Sequence, residues 1–543
     1  MKQTCSVLCT VLLLGGMTPP VAYGQTCAAT AGVARAPVAT DDATQGYAVK
    51  DLWQACGHVW RAASVRPHAA RWEPVSSSGL PADAFGQHTL FAGGTVRMVS
   101  GYTGHALGVT LMMQGQPQNI TLDITADGRL DDAPLNQRDR GTYAVVTRVY
   151  DQSGQGHDLL AVPGKAVVHV GEAAVNGMPA LSWGEQNGPG GFMLPPDLHV
   201  DSESFFFGTT GVYASSNSGY AAYPVPLLLG EAGRAFKVYF GGYELDGFVH
   251  LADSTNPDQR TSLVITNAPA TFSVWAHGAT YHLQSGNMQA VGHGRMNVPN
   301  FKGGYIGFNA DGGEWFSQGR NTGIWTGLVL ADHVNDSNAV EQFRVAAVLQ
   351  GQQMPQVRPA LVVLGDSRSE GFRVADGRNW PRFAQAYGQY QSYNLAVSGA
   401  TTRHLLGMLP AAAQVAAHSG NHVAVVFGGY NDHLSQNHIG YDETLINLGK
   451  VIQSLQALKY YVVLVAEAPT DPVLRSKVMS AQAAGTLRPD TIVDPFAPGS
   501  VLSNPGNTQY WDKDFTHFTA EGQAELASLI WASIKTGFAQ GVH

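Results

Sequence analysis

The stretch Ala360-Leu-Val-Val-Leu-Gly-Asp-Ser367 decides how the C-terminal part of the chain folds. Its first five residues form an apolar run without alternation, which is typical of a strand covered on both faces of a parallel sheet. The Gly-Asp-Ser that follows indicates a tight turn from strand to helix. On such a turn the Ser367 hydroxyl would be exposed beside amide groups that can stabilise an oxyanion. A serine that only caps a helix is the alternative.

Three further apolar runs, at 393–397, 423–427 and 461–465, alternate with helical patterns. Between the last two runs, apolar residues recur at the spacing of a core-facing helix: Leu445, Leu448, Ile452 and Leu455. This βαβ pattern predicts a doubly wound α/β domain over residues 359–543. In such a sheet the active site forms at the carboxyl ends of the strands.

Glycine-rich polar loops follow two of these predicted strands. Ser-Gly-Ala stands at 398–400 and Gly-Gly-Tyr-Asn-Asp at 428–432. Glycine lets the backbone approach a ligand closely, and the Asn431 side chain can donate a hydrogen bond. Both loops would lie at the same sheet edge as Ser367, although each alone could be an ordinary loop.

Asp514-Phe-Thr-His517 stands just before a final helix predicted from about Ala520. A serine needs a base to become a nucleophile at neutral pH, and a histidine supplies one. The histidine in turn needs a carboxylate that fixes its tautomer and stabilises its charged form. An aspartate three residues before a histidine can reach the same imidazole. Two polar residues that only cap the helix are the alternative.

These four blocks, in this order on successive strand ends, resemble the SGNH (GDSL-like) hydrolase family over residues 356–540. The resemblance implies that Ser367 is the nucleophile, His517 the base and Asp514 its orienting carboxylate. It also implies an oxyanion hole formed by the amides of Ser367 and Gly399 and by the side chain of Asn431.

Arg368, directly after the serine, departs from this pattern, because many family members carry an apolar residue there. Trp380 and Trp511 are candidates for stacking on a sugar ring near the site, and packing is the alternative. No cofactor is expected, since the 19 histidines show no spacing typical of metal ligands.

Residues 80–345 have the pattern of an all-β region. Alternating runs such as Gly141-Thr-Tyr-Ala-Val-Val-Thr-Arg-Val-Tyr150 are separated by turn clusters, for example at 151–156 and 187–191. Helical periodicity is nearly absent before 338–349. The pattern predicts a sandwich of antiparallel sheets, closed by one helix.

Segments 102–109, 119–131 and 149–159 are similar to the concanavalin-like sandwich of the arabinofuranosidase B family, and Tyr-Asp-Gln-Ser-Gly at 150–154 is the most specific piece. The two catalytic carboxylates of that family have no clear counterparts here. Glu231 and Asp311 are acidic candidates, whereas an acid in a polar loop is usually solvated. A carbohydrate-binding or purely structural role is therefore expected rather than glycosidase activity.

Residues 1–24 resemble an export signal, with an apolar stretch at 7–14 and small residues around a cleavage point after 22–24. An anchoring membrane helix is the alternative, but the apolar stretch is short for one. Cleavage would leave Cys27 and Cys56, which are expected to form a disulfide in an oxidising compartment.

The composition supports a folded, multidomain chain. With 543 residues, 44% of them hydrophobic and 13% charged, the chain is too long for one core and too apolar for disorder. The net charge of −9 without a basic run argues against a nucleic-acid partner. The predicted divisions are a signal at 1–24, an N-terminal segment at 25–79, a β-sandwich at 80–345, a linker at 346–358 and a hydrolase domain at 359–543.

The sequence thus predicts an all-β concanavalin-like sandwich followed by an α/β doubly wound (flavodoxin-like) hydrolase domain. The predicted function is that of a secreted serine esterase, periplasmic or extracellular, which removes O-acyl groups from carbohydrate through an acyl-enzyme. The acyl group is expected to be acetyl. The alternatives are a lipase or general short-chain esterase, a sugar O-acyltransferase, and a non-catalytic carbohydrate-binding surface protein. Stable insertion into a membrane is not expected.

Overall fold

The computed structural model describes residues 51–540 with gaps, together with residues 37, 39, 41–43 and 47. The gaps fall at 56–57, 76–78, 164–167, 176, 184–190, 215–226, 232–233, 241–247, 254–255, 265–269, 295–299, 308–322, 335–336, 351–359, 375–378, 388–389 and 420. The predicted signal at 1–24 and the predicted disulfide between Cys27 and Cys56 lie outside the described residues.

The N-terminal segment forms a small antiparallel sheet. Its strands are β1 (Leu52–Ala55), β2 (His58–Ser64) and β3 (Arg71–Val75). The sheet packs on helix α1 (Ser337–Leu349) through a small apolar cluster: Leu52, Val59, Val345 and Val348. The small sheet is therefore packed against the folded chain, because it shares an apolar cluster with the helix that follows the β-rich region.

Helix α1 corrects the predicted linker at 346–358. The helix extends to Leu349, so the first residues of that segment are helical, and residues 351–359 lie outside the described part of the chain. The reason is apolar burial, since Ala346, Ala347 and Val348 are all buried and continue the packed face of the helix.

The β-rich region consists of antiparallel strands. They are β4 (Thr89–Gly94), β5 (His105–Met113), β6 (Gln116–Asp123), β7 (Ala144–Val149), β8 (Leu159–Ala161), β9 (Val168–Val175), β10 (Met178–Trp183), β11 (Phe192–Asp201), β12 (Ser204–Ala214), β13 (Leu227–Glu231), β14 (Arg234–Phe240), β15 (Val249–Asp253), β16 (Asn256–Leu263), β17 (Ala270–His277), β18 (Thr280–Ser285), β19 (Met288–His293), β20 (Asn300–Ile306), β21 (Gly323–Trp325) and β22 (Gly327–Ala331).

These strands form one connected network that divides at β7, which also pairs with β5 of the β5–β6 hairpin. One arm runs through β9, β10, β21 and β12 to β17–β19 and to β22 and β4. The other runs through β8, β11, β20 and β13 to β14–β16. The arms meet again where β11 pairs with β12 and where β16 lies against β18 and β19. The concanavalin-like label for this arrangement stays a prediction.

The Tyr-Asp-Gln-Ser-Gly piece at 150–154 supports the fold of this region from inside. The buried carboxylate of Asp151 accepts hydrogen bonds from the N–H of Ala92 (3.1 Å) and the N–H of Ser153 (2.9 Å). The buried amide of Gln152 accepts from the N–H of Met98 (2.7 Å) and donates to the carbonyl of Val96 (3.0 Å). Buried polar groups need such partners, so this motif maintains the fold.

The C-terminal domain is a five-stranded parallel sheet with helices on both faces. Its strands are β23 (Ala360–Gly365), β24 (Gln391–Asn394), β25 (His422–Phe427), β26 (Tyr461–Val465) and β27 (Thr491–Val493), and they lie in the order β24-β23-β25-β26-β27. Its helices are α2 (Ser367–Glu370), α3 (Trp380–Tyr387), α4 (Thr402–Gly407), α5 (Leu409–Ala416), α6 (Tyr441–Ala457), α7 (Pro472–Ala483) and α8 (Ala520–Gln540).

Alternate residues of β23 point into two different cores, which is why its whole run is apolar. Leu361 and Val363 belong to the cluster that includes α3 and α8, whereas Val362 and Leu364 belong to the cluster that includes α5 and α6. The predicted division into a β-rich part and an α/β part is confirmed. The flavodoxin-like label stays a prediction.

The β-rich region also touches the C-terminal domain. The N–H of Val264, just after β16, donates to the side-chain oxygen of Gln414 on α5 at 2.7 Å. The contact is therefore made by α5, one of the helices that cover the parallel sheet. Within the described part of the chain, no helix has the length and apolar character needed to cross a membrane.

Candidate active site

The nucleophile turn follows directly from β23. Asp366 caps α2 by accepting the N–H of Arg368 at 3.0 Å, and Ser367 is the first residue of that short helix. Gly365 is the residue that the turn requires, because a Cβ there would lie 2.8 Å from the carbonyl oxygen of Phe427 and 2.8 Å from Ser369 Oγ. The predicted strand-to-helix turn at Ser367 is therefore present.

Three side-chain amides hold the other end of this turn. They donate to its successive carbonyls: Gln523 to Arg368 O (3.0 Å), Asn394 to Ser369 O (2.9 Å) and Asn379 to Glu370 O (2.8 Å). The last carbonyls of a helix have no partners within the helix, so these donors satisfy them. The position of Ser367 is thus fixed from three separate parts of the domain.

The structure brings Ser367, His517 and Asp514 together. His517 Nε2 lies 2.8 Å from Ser367 Oγ, and His517 Nδ1 lies 2.6 Å from Asp514 Oδ2. The two imidazole nitrogens thus face the hydroxyl and the carboxylate, as a base with an orienting partner requires. A serine in this arrangement can lose its proton to the imidazole as it attacks an electrophile.

The Asp514 carboxylate is held in its charged form. Partial burial alone would raise its pKa, but hydrogen bonds from His517 and from the N–H of Thr516 outweigh burial and lower the pKa of Asp514 to about 2. Oδ1 accepts the N–H groups of Thr516 (3.0 Å) and His517 (3.0 Å). Arg373 Nη1 also donates to Oδ2 at 2.9 Å.

The predicted oxyanion donors lie at the same edge of the sheet, since each follows the carboxyl end of β23, β24 or β25. Within the described residues, the backbone N–H groups of Ser367 and Gly399 donate to no protein acceptor. Gly399 has a φ of 80°, which glycine adopts without strain. Asn431 Nδ2 donates one hydrogen to the carbonyl of Ala400 at 3.0 Å, which leaves its second hydrogen available.

Asp432, next to Asn431, anchors this loop. Its fully buried carboxylate accepts the N–H of Thr402 (2.7 Å), the hydroxyl of Thr402 (2.5 Å) and the hydroxyl of Thr444 (2.7 Å). These bonds tie the loop after β25 to α4 and α6. Asp432 therefore positions Asn431, a role that the sequence did not reveal.

Arg368 is the second feature that the sequence left unexplained. Its guanidinium is buried and contacts two carboxylates: Nε donates to Asp366 Oδ1 (2.9 Å), Nη2 donates to Asp366 Oδ2 (2.7 Å), and the same group pairs with Glu467. It also lies over the ring of Phe427, 4.1 Å from the centroid. Burial alone would lower the pKa of Arg368, but the two carboxylates hold it above its usual value.

The partner Glu467 is the second residue after the buried strand β26, in Ala466-Glu467-Ala468. An acidic residue at the end of an apolar run indicates in the sequence that the acid is buried. Nothing in the sequence connects it to Arg368. The ion pair lies one residue from the nucleophile and fixes the turn electrostatically.

We expect Arg368→Leu to lower the free energy of unfolding by about 3–5 kcal/mol, because two buried carboxylates then lose their counter-charge. Denaturant unfolding measures this loss. Arg403→Leu is the matched control: Arg403 Nε donates to Glu443 at 2.7 Å, but on the exposed surface. Its loss should be much smaller, because a solvent-exposed ion pair contributes little to stability. Equal small losses in both variants would contradict the assigned role of burial.

The stacking role predicted for Trp380 and Trp511 is wrong, since both side chains have no exposed surface. The indole Nε1 of Trp380 donates to Ser369 Oγ at 3.1 Å. The backbone N–H of Trp380 donates to Gln523 Oε1 at 2.9 Å. Trp511 packs on Phe518, with ring centroids 4.5 Å apart. Both tryptophans are buried packing residues of the domain and are not accessible to a substrate.

The structure gives only the backbone of one of the two acidic candidates of the β-rich region. Glu231 ends β13, where its backbone pairs with Arg234 of β14, and Asp311 lies outside the described residues. Among the residues that the structure describes, no group of three or more histidine, cysteine, aspartate or glutamate side chains is arranged to hold a metal ion.

Residues 363–525 match the model of the GDSL-like Lipase/Acylhydrolase family. The C-terminal part of the chain is thus a GDSL-like domain, and the resemblance predicted from its four sequence blocks is confirmed. The match contains the three residues of the serine–histidine–aspartate arrangement and supports a hydrolase that acts on esters.

Solved structures similar to the chain include two kinds of protein. A mutant of a GH54 α-L-arabinofuranosidase is 16% identical, with a TM-score of 0.40, and the match covers 52% of this chain and 67% of that one. The psychrotrophic esterase EstA from Pseudoalteromonas sp. is 18% identical, with a TM-score of 0.28, and the match covers 33% and 97%. A lipolytic G-D-S-L family protein from Veillonella parvula is 19% identical, with a TM-score of 0.27, and the match covers 32% and 98%. No curated protein matches the chain.

Proposed function

We propose that the protein is a serine esterase that removes O-acetyl groups from carbohydrate. The observation that carries the esterase part is the contact of His517 with both Ser367 Oγ (2.8 Å) and Asp514 Oδ2 (2.6 Å) at the carboxyl edge of a parallel sheet. The family match over 363–525 supports ester hydrolysis in general. Export, inferred from residues 1–24, is part of the same proposal.

In the proposed mechanism, Ser367 Oγ attacks the ester carbonyl carbon while its proton passes to His517 Nε2. The charged carbonyl oxygen is stabilised by the N–H groups of Ser367 and Gly399 and by Asn431. The bond to the alcohol oxygen breaks, and His517 returns the proton to the leaving alcohol. His517 then deprotonates a water, which attacks the carbonyl carbon of the acyl-serine. The bond to Ser367 Oγ breaks, His517 returns the proton to Oγ, and the acid leaves. Asp514 stays ionised throughout, since its pKa lies at about 2.

Two observations support the acetyl and carbohydrate parts of the proposal. Around the proposed oxyanion hole, Ser398, Ala400 and Asn431 are all buried, so these neighbouring groups offer little exposed surface to a long acyl chain. The β-rich region carries the sequence pieces similar to a sugar-processing family, and it contacts the domain where the N–H of Val264 donates to Gln414. A second surface that holds a polymer would raise the substrate concentration near the site.

The test is a substrate comparison with the purified full-length protein. We expect acetate release from acetylated polysaccharide, and kcat/KM at least about tenfold higher for p-nitrophenyl acetate than for the dodecanoate. An added methylene contributes about 0.8 kcal/mol only where the protein buries it, and the buried groups beside the oxyanion hole would leave a long chain without such a surface. A preference for the long chain without acetate release from any polysaccharide would identify a lipase instead. Acyl transfer to an added sugar in preference to water would identify an acyltransferase.

A further inference from the structure

Phe515, between Asp514 and His517, has an unusual backbone conformation. Its φ is 59°, in the left-handed region that favours glycine and is unfavourable for a bulky side chain. The turn at this residue lets the N–H groups of Thr516 and His517 both reach Asp514 Oδ1. A glycine would make the same turn without strain. The turn geometry therefore does not explain the presence of a phenylalanine.

The Phe515 side chain does not serve the core either. It is 54% exposed, and among the described residues its ring contacts no other aromatic ring. Strained residues that persist at an active site point to a role there. The ring is therefore accessible to a ligand from solvent, and a ligand contact would account for a strained residue at this position.

The position of Phe515 relates it to one part of the substrate. His517 returns its proton to the leaving alcohol, so the alcohol portion of an ester must lie on the His517 side of Ser367. The acyl oxygen lies on the other side, towards Gly399 and Asn431. Phe515 is two residues from His517 in the same loop, and the ring of Phe372 lies 4.6 Å from the imidazole. Two aromatic residues are thus close to His517: Phe372 through its ring contact and Phe515 along the chain.

We propose that Phe515 is a substrate-binding residue on which a sugar ring of the alcohol portion stacks; this rests on the proposed function. The face of an aromatic ring carries partial negative charge, which attracts the C–H groups on the apolar face of a sugar ring. The charged side chains near this loop, Arg373 and Asp512, could form hydrogen bonds with the hydroxyl groups of a sugar. Arg373, 41% exposed, donates to Asp512 Oδ2 at 2.8 Å and lies 5.3 Å from the Phe372 ring centroid. An alkyl chain would instead have to desolvate these charges without replacing their hydrogen bonds.

The test compares Phe515→Gly with the wild type on two acetate esters, an O-acetylated oligosaccharide and ethyl acetate, which has no ring to stack. We expect kcat/KM for the oligosaccharide to fall about tenfold, mainly through KM, as the loss of one aromatic contact predicts. Hydrolysis of ethyl acetate should change by less than about twofold, because the triad is untouched. The melting temperature should not fall, since glycine relieves the strained φ.

Two further variants distinguish an aromatic contact from a merely apolar one. Phe515→Trp should retain oligosaccharide hydrolysis, whereas Phe515→Leu should lose it, because leucine has no aromatic face. The matched control is Ile446→Ala, which truncates an equally exposed apolar side chain on α6 and should change neither substrate. Equal losses on both esters would mean that Phe515 only positions His517, and no loss would mean that it binds nothing; either outcome overturns the inference. Absence of acetate release by the wild type would instead refute the proposed function.

Discussion

Replacing Ser367 with alanine is expected to lower kcat by about 10⁴- to 10⁶-fold, because the attacking oxygen is lost while the binding surface remains. The hydroxyl contacts His517 Nε2 at 2.8 Å, and the turn around it is held by other groups, so the fold should persist. Hydrolysis of p-nitrophenyl acetate measures the loss, and thermal unfolding measures the fold.

Non-additivity provides the control for this first prediction. His517→Ala should be about as severe as Ser367→Ala, and the double variant should be no worse than either single variant, since the two groups act as one unit. A well-folded Ser367→Ala protein with near-wild-type activity would remove the esterase assignment. Additive losses would show that the two residues work independently.

Asp514→Asn is expected to lower kcat by about 10⁴-fold, because an amide no longer fixes the imidazole tautomer or stabilises its charged form. The pKa of Asp514 lies at about 2, so the carboxylate is ionised throughout the pH range in which a histidine base works. The variant therefore removes a charge that the wild type always has. The loss should appear at every pH above about 4.

Asp512→Asn is the matched control for this second prediction. Asp512 also accepts Arg373 Nη1 (2.8 Å) and is similarly exposed, at 24% compared with 27% for Asp514. It makes no side-chain contact with His517 among the described residues, so its loss should cost less than about fivefold, the effect of one partly exposed ion pair. Similar losses in both variants would show that the common partner Arg373, rather than the His517 contact, gives Asp514 its importance.

The parallel strands of the C-terminal domain could be predicted from the sequence because their apolar runs are local. The runs at 423–427 and 461–465 lie within, or coincide with, β25 (His422–Phe427) and β26 (Tyr461–Val465). The predicted run at 393–397 is displaced, because β24 is Gln391–Asn394. Beyond it the chain continues with single hydrogen bonds to β23, from Leu395 and Val397. Apolar character marks the burial of this segment, whereas the register of its pairing depends on the neighbouring strand.

The triad was within reach of the sequence for a similar reason. Asp514 and His517 are close along the chain, and Ser367 follows a strand that had to end at the same edge of the sheet. The stacking assignment of Trp380 and Trp511 failed because a tryptophan in the sequence does not show which of its faces is covered. Their burial is decided by Ser369, Gln523 and Phe518, which come from other elements.

The sequence by itself determined the strands of the α/β domain, the nucleophile turn and the order of the catalytic blocks, because periodicity, turn chemistry and strand ends depend on neighbouring residues. Only the tertiary structure decided the role of Arg368, whose partner Glu467 lies 99 residues away, and the anchoring of Asn431 through Asp432. The physical reason is that a buried charge is stable only beside its counter-charge. Which groups become neighbours in the interior is a property of the folded chain.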